Sequence, residues 1–397
     1  MLRNISTILR CFAITNKPQV KLFTPGPLNT SKAVKEAMLY DFGSRDPDFG
    51  KIVEDIKLKL LKVAAVSEKD YATVLVQGSG TFAVEAALGT AFPRMTNEEK
   101  KNKKMLIVAN GAYGERQVKI CEVLDIPHIV LRYSDAEVVR ADDVCRTLQE
   151  HPSISHVSVV HSETTTGLLN PVEEIGQSVH ELNPRTIFIV DGMSSFGAVH
   201  LDMYRSCTHY LISSSNKMIQ GVPGFAFVIC KLNHLRQCKG NSRSLSLDLF
   251  DQYDYQLQNP GQFRFTPPTH VFSAFYQALA EHEKEGGVKA RGERYRENQR
   301  ILSEEMRKMG FKLYIDPKDQ GLIITTFLQP NHPKFNFKTL YDYLAERDIV
   351  IYPGKLSKAP SFRLGNIGEL YPKDMYECLD KIKEAFDHMG VPLPIKD

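Results

Sequence analysis

Ile187-Phe-Ile-Val-Asp191-Gly-Met-Ser-Ser195 and Tyr210-Leu-Ile-Ser-Ser-Ser-Asn-Lys217-Met-Ile-Gln-Gly-Val-Pro-Gly224 are two apolar runs of strand length. An acid ends the first, and a lysine follows the second. Similar runs lie on either side: Thr73-Val-Leu-Val-Gln77, Met105-Leu-Ile-Val-Ala109, His156-Val-Ser-Val-Val160 and Phe225-Ala-Phe-Val-Ile229. Helical patterns such as Phe82-Ala-Val-Glu-Ala-Ala-Leu88 and Val172-Glu-Glu-Ile-Gly-Gln-Ser-Val179 separate several of them. Strands that are apolar almost throughout, alternating with helices, predict an α/β fold whose mainly parallel sheet is covered on both faces.

Beyond Asn241 the alternation stops, and Pro260-Gly261 to Pro267-Pro268 reads as loop. A charged helical stretch follows Gly286-Gly287, over about Val288 to Met309. Strand-like Gly321-Leu-Ile-Ile-Thr-Thr-Phe327 and Asp348-Ile-Val-Ile-Tyr352 come next, and an amphipathic helix near Asp374–His388 closes the chain. The expected organisation is a large domain over 21–280 and a smaller α+β domain over 281–397.

The chain has 397 residues, of which 42% are hydrophobic and 24% charged, as in an ordinary soluble globular protein. A net charge of +3 with both signs interspersed gives no basic face for nucleic acid. No apolar run approaches the ~18–20 residues that span a bilayer. Seven scattered cysteines (Cys11, Cys121, Cys145, Cys207, Cys230, Cys238 and Cys378) include no Cys-x-x-Cys pair. That pattern argues against a disulfide framework or structural zinc, and for a reducing compartment. Residues 1–20 hold Arg3 and Arg10, several hydroxyl residues and spaced Ile, Leu and Phe, and no acid appears before Glu36. This is the composition of a mitochondrial targeting leader, so the expected location is the mitochondrial matrix, or the cytoplasm if the leader is not a signal.

The strand ends carry the chemistry. Gln77-Gly78-Ser79-Gly80-Thr81 joins a strand to a helix, where free N–H groups and hydroxyls suit a phosphate. Tyr113 follows the strand ending at Ala109, where ligands collect in open α/β sheets, and its ring suits stacking. His161-Ser-Glu-Thr-Thr-Thr-Gly167 and Asp191 end two more strands. A lysine able to form a Schiff base, with a carboxylate to pair with a pyridinium nitrogen, suits pyridoxal 5'-phosphate (PLP). Arg363, in Ser361-Phe-Arg-Leu-Gly-Asn-Ile-Gly368, offers a planar fork for a carboxylate or phosphonate. Each feature alone has a plain structural reading, such as a helix cap for Asp191 or a surface ion pair for Arg363. Their coincidence on one rim is the signal.

With these landmarks the chain resembles the fold-type I, class V PLP-dependent aminotransferases from about Leu22 to Phe386. Thr24-Pro-Gly-Pro-Leu28, Asn110-Gly-Ala-Tyr-Gly114 and Arg264-Phe-Thr-Pro-Pro-Thr-His270 add to the likeness. Gln220-Gly-Val-Pro-Gly-Phe225, Ser242-Arg-Ser-Leu-Ser-Leu-Asp248 and Ile351-Tyr-Pro-Gly-Lys355 are similar to the branch that acts on phosphonates. The resemblance implies a homodimer that moves the amino group of 2-aminoethylphosphonate to pyruvate by a ping-pong mechanism. It implies that Lys217 is the Schiff-base lysine and proton shuttle, and that Asp191 keeps the ring nitrogen protonated. Tyr113 would stack on the ring, and Ser79, Gly80 and Thr81 would hold the phosphate with Thr266 of the partner subunit. Thr164 would lie near the ring hydroxyl and Asn216 beside the lysine. Arg363 and Asn29 would bind substrate, and Arg45 is a candidate second anion contact. Alternatives that keep most of these residues are a lyase on hydroxylated 2-aminoethylphosphonate and an alanine:glyoxylate or serine:pyruvate aminotransferase. A cysteine desulfurase lacks its cysteine loop here. An inactive binding scaffold is disfavoured by the presence of both Lys217 and Asp191.

Overall fold

The structure is a computed structural model that describes residues 19–354 and 359–395. The expected leader lies outside the described residues except for Gln19 and Val20, and so does Lys355 of the Ile-Tyr-Pro-Gly-Lys block. Seven strands build the main sheet: β1 (Tyr71–Gln77), β2 (Lys104–Ala109), β3 (His128–Arg132), β4 (Ile154–Val160), β5 (Ile187–Asp191), β6 (Thr208–Ser214) and β7 (Phe225–Lys231). Their order across the sheet is β1-β7-β6-β5-β4-β2-β3. Only β7 runs against the rest; it pairs antiparallel with both β1 and β6.

Residue alternation along each strand feeds two cores. Leu75, Leu106, Val108, Val157, Val190 and Phe227 face one side, packed with Phe49 and Val53 of α1 (Pro47–Val63). Val74, Val76, Met105, Ile107, Ile189 and Ile212 face the other, under α2 (Gly80–Ala91) and α3 (Ala112–Val123). Both faces are therefore covered, as the near-continuous apolar runs require. The edge strand β3 escaped the sequence reading because its residues are mostly half-buried and its apolar run is short.

A second, three-stranded antiparallel sheet has the order β8 (Ile324–Leu328), β10 (Ser361–Gly365), β9 (Tyr352–Pro353). Helices α4 (Gly287–Lys308) and α5 (Pro372–Met389) enclose its core of Leu302, Met306, Phe327, Phe362 and Phe386. The run expected as one strand over Asp348–Tyr352 is divided. Ile349–Val350 pairs parallel with Lys21–Leu22, while Tyr352 joins β10. Phe23 is thereby carried into the core of the small sheet.

The loop after β4 is the seam between the two sheets. The Gly167 carbonyl accepts from Gly321 N–H (2.7 Å) and from Gln320 Nε2 (2.9 Å), and the Thr166 carbonyl accepts from the Thr326 hydroxyl (2.8 Å).

Candidate active site

The chain reverses its direction of travel across the sheet between β2 and β4, since β3 lies on one side and β5 and β6 on the other. A crevice at the carboxyl ends of strands is the expected consequence. A cavity of about 190 Å³ lies there, lined by Ser79, Gly80, Thr81, Tyr113, Asp191 and Lys217 among others. Asn216 lines it as well. Seven of the nine residues expected around a cofactor thus line the cavity, from the ends of β1, β2, β5 and β6, whereas Thr164 and Thr266 are not in its lining.

Asp191 is buried, and its Oδ1 accepts Met193 N–H at 3.0 Å. Burial pushes its carboxyl up to about 6, against the opposing pull of Met193 N–H, the Gln117 amide, Arg116 and Lys217. The chain alone leaves this charge under-compensated. Gln117 Oε1 accepts from the Ser158 hydroxyl (2.7 Å), while its buried Nε2 finds no partner of good hydrogen-bond geometry. Lys217 Nζ donates to the Pro25 carbonyl at 2.8 Å. Gly26 packs directly on this lysine: it has φ +115°, and a Cβ there would stand 2.9 Å from Lys217 Cδ. The Thr24-Pro-Gly-Pro segment therefore lies over the lysine, a contact that the sequence reading missed.

The N-terminus of α2 presents unfilled donors. Its N-cap Ser79 makes no side-chain capping bond, so the first-turn N–H groups keep their capacity for a ligand. Across from it, Arg116 Nη1 donates to the Thr81 hydroxyl (3.3 Å) and its guanidinium lies 4.7 Å from the Tyr113 ring centroid. Arg116 lines the same cavity and was not singled out from sequence, although its place one helical turn after Tyr113 was the available signal. Glu163 fixes the start of α3: its carboxylate accepts from Thr165 N–H, the Thr165 hydroxyl (2.6 Å) and Gly114 N–H (3.4 Å). Thr165 Oγ1 in turn accepts Ala112 N–H at 3.0 Å, which sets the root of Tyr113.

The remaining expected residues stand as follows. Thr164 is buried, its hydroxyl 2.5 Å from that of Ser194. Arg363 is 2% exposed and donates to the Pro353 and Thr164 carbonyls, both at 3.1 Å. It has no carboxylate partner among the described residues, and burial lowers its affinity for its proton. Asn29 spends both ends of its amide on backbone, accepting from Leu22 N–H (2.7 Å) and donating to Val20 (2.8 Å). It anchors the segment that crosses Lys217 and does not line the cavity. Thr266 is exposed on a loop whose Phe265 carbonyl is held by Gln77, and Arg45 is exposed.

These observations fit PLP. A buried carboxylate short of positive charge, a lysine, an uncapped helix N-terminus and a tyrosine share one cavity. They match the cofactor's ring nitrogen, aldehyde, phosphate and ring face. The class-V aminotransferase family pattern matches residues 34–371. The chain belongs to the class-V aminotransferases. Its cofactor is accordingly pyridoxal 5'-phosphate. Among curated relatives, the 2-aminoethylphosphonate–pyruvate transaminase of Syntrophobacter fumaroxidans is 48% identical over 93% of this chain and 97% of its own length. The protein of the same name from Bacillus cereus strain Q1 is 47% identical, over 92% and 97% respectively. The solved ureidoglycine–glyoxylate aminotransferase of Bacillus subtilis superposes with a TM-score of 0.84 at 20% identity, covering 95% of each chain, which bears on the fold alone.

The relatives correct one expectation. They come from bacteria, cells without mitochondria, so the mitochondrial address read from residues 1–20 is withdrawn. A basic, acid-poor start of some twenty residues is too short a pattern to specify an organelle by composition. Among the described residues, no helix is long and apolar enough to cross a membrane.

Proposed function

We propose that this aminotransferase moves the amino group of 2-aminoethylphosphonate to pyruvate, giving phosphonoacetaldehyde and L-alanine. The observation that carries the reading is Arg363, a buried cation with no carboxylate beside it among the described residues, which does not line the cavity itself but lies within electrostatic reach of Tyr113 in its wall. A buried charge is expensive unless paired, so such a site calls for an anionic substrate. Phosphonate and carboxylate both accept the guanidinium fork, so one arginine serves the donor and the acceptor in turn. The names carried by relatives at nearly half identity point to the same pair of substrates.

When bound, PLP supplies an aldehyde carbon and a ring able to take up the electrons of a C–H bond. The chain's own residues divide the remaining work. Lys217 Nζ would take the proton from the amine-bearing carbon and return it to the carbon on the other side of the nitrogen. Asp191 holds positive charge at the cavity floor. Ser79, Gly80 and Thr81 hold the phosphate by N–H and hydroxyl groups, completed in a homodimer by Thr266 of the partner subunit. Tyr113 would stack on the ring, Thr164 would steady its hydroxyl edge, and Asn216 would fix the lysine's approach. The donor has no α-carboxylate, so proton loss is the only route open at its amine-bearing carbon. We read the large unit as 21–280 and the small one as 281–397, with Arg363 brought to the site from the second.

The test is alanine formation from 2-aminoethylphosphonate and pyruvate by the purified protein. Turnover of alanine with glyoxylate, and none with the phosphonate, would overturn the assignment. Release of ammonia from a hydroxylated donor without pyruvate would replace it by a lyase.

A further inference from the structure

The Lys217 cavity is not the larger of the cavities among the described residues. At the opposite, amino-terminal edge of the main sheet, a cavity of about 730 Å³ lies at the starts of β4, β5 and β6, where Ile154, Ile187 and His209 line it. No residue lines both cavities. Its size falls in the range of small-molecule sites, roughly 300–1,000 Å³.

Its lining is chemically one-sided. Lys103 and Arg185 stand at its rim, with the imidazoles of His156, His209 and His234 deeper in, and no Asp or Glu takes part. Among the described residues neither Lys103 nor Arg185 forms a salt bridge, although Lys103 lies within electrostatic reach of Glu99. The three rings form a row, with the His234 centroid 6.1 Å from that of His156 and 6.0 Å from that of His209. Burial holds all three neutral, pushing their pKa values down to about 3, 3 and 4 for His156, His209 and His234. His209 Nδ1 accepts Phe188 N–H (3.2 Å), so the ring's proton sits on Nε2. His234 Nδ1 lies 2.6 Å from the Tyr210 hydroxyl; with that hydroxyl donating, its proton is on Nε2 as well. Asn183 uses its Oδ1 on Arg185 N–H (3.1 Å), which leaves its amide N–H groups as donors. His156 Nε2–H already donates to the Ala91 carbonyl (3.1 Å) and His209 has a backbone partner in Cys207, so the donors left for a ligand are the His234 and Asn183 N–H groups and the two rim cations, with no anion in the lining.

We propose that this cavity is a second ligand site, taking a small molecule with a phosphate or phosphonate dianion held by Lys103 and Arg185 and by the N–H groups of the His234 imidazole and the Asn183 amide. Two cations without a carboxylate match a dianion better than a single carboxylate. The site stands apart from the transamination chemistry and does not depend on which amino donor the enzyme uses.

Calorimetric titration of the holoenzyme with inorganic phosphate, and separately with methylphosphonate, at constant ionic strength tests this. The wild type, the double variant Lys103→Gln/Arg185→Gln and Arg363→Met are compared. Saturable binding is expected in the wild type and in Arg363→Met, weakened about tenfold or more in the double variant. The cofactor absorbance near ~420 nm should stay unchanged in the double variant. Tighter binding of one probe identifies the ligand's head group. Binding that survives in the double variant but vanishes in Arg363→Met would place the anion at the substrate site and overturn the proposal. Equal binding in all three proteins, or no saturable binding, would overturn it too.

Discussion

Burying Asp191 without a full counter-charge from the chain makes its cost depend on pH. Its carboxyl is raised from 3.8 to about 6 by burial. Below about pH 4 it is protonated in folded and unfolded chains alike, and the favourable neutral form is fully present. Between about pH 4 and 6 the unfolded chain ionises and the folded one resists, so stability falls as pH rises; above 6 the penalty is constant. The shift corresponds to roughly 3 kcal/mol at most. Cofactor-free Asp191→Asn should therefore be more stable than cofactor-free wild type above pH 6, by up to that amount, with the gap closing toward pH 4. Urea unfolding of both proteins from pH 4.5 to 8 measures it, and a gap that ignores pH would refute the argument. The neighbouring turn makes a second residue-scale prediction. A Cβ on Gly80 would stand 2.4 Å from Met193 Cε, so Gly80→Ala must displace the Met193 side chain that lines the cavity. Met193 Cε is the far end of a flexible side chain, so the displacement should cost about 1 kcal/mol, or roughly fivefold in cofactor affinity. Adding Met193→Ala should restore most of the loss. Dialysis against cofactor-free buffer, followed by absorbance, reads both steps.

At the scale of elements, the lysine is rigidly mounted by a helix distant in sequence. Gln220, three residues beyond Lys217, adopts φ +63°. Its Oε1 accepts from the Tyr295 hydroxyl (2.9 Å) and Arg294 Nη2 (2.5 Å), and Arg291 Nη1 donates to the Met218 carbonyl at 2.6 Å. Glu285 pairs with both arginines, at 2.6 and 2.7 Å. An uncommon backbone conformation persists only where its surroundings dictate it, and α4 supplies them. The Tyr295 hydroxyl also accepts Gly368 N–H at 3.2 Å, so Tyr295→Phe strands one buried donor. That change should cost about 1–3 kcal/mol in a denaturant titration, whereas loss of less than ~0.5 kcal/mol would mean the clamp is dispensable. This clamp also marks where sequence reading stops. The strands β1, β2 and β4 to β7 and the residues at their ends were legible because apolar runs and polar terminators are local signals. Gly26 over Lys217, the Glu163–Thr165 clasp and the Arg291–Glu285–Arg294 group were not, since each joins residues that only the tertiary fold brings together. Arg116 lies between these cases. It was visible one turn after Tyr113, but nothing local distinguished it from an exposed helix charge. The half-buried edge strand β3 and the division of 348–352 between two sheets were lost for a related reason, because pairing and not propensity defines them.

Over the whole molecule, the two sheets meet at the loop that ends β4, and Arg363 is one of the side chains that cross this seam. It belongs to the middle strand of the small sheet, yet it donates to the Thr164 carbonyl of the loop that ends β4. Gln320, Gly321 and Thr326 reach the same loop through the carbonyls of Thr166 and Gly167. The seam therefore has enough neutral hydrogen bonds to hold its geometry without a charge. A buried guanidinium satisfied only by carbonyls carries a desolvation cost with no anion among the described residues to offset it, which is the cost expected if it is kept for binding an anionic substrate. Replacing it with an apolar side chain of similar length separates the two roles. Arg363→Met should unfold at the same urea concentration as the wild type or a higher one. Its kcat/KM for 2-aminoethylphosphonate should fall about 100-fold or more, as expected when a charge-assisted fork of roughly 3 kcal/mol is removed. Arg363→Lys keeps the charge without the fork, and should recover only part of the loss. Equal losses of stability and activity in Arg363→Met would make the arginine a structural tie across the seam. Loss of activity with stability kept assigns it to the substrate's acidic group, because only the transferred molecule then supplies the anion that the fold leaves out.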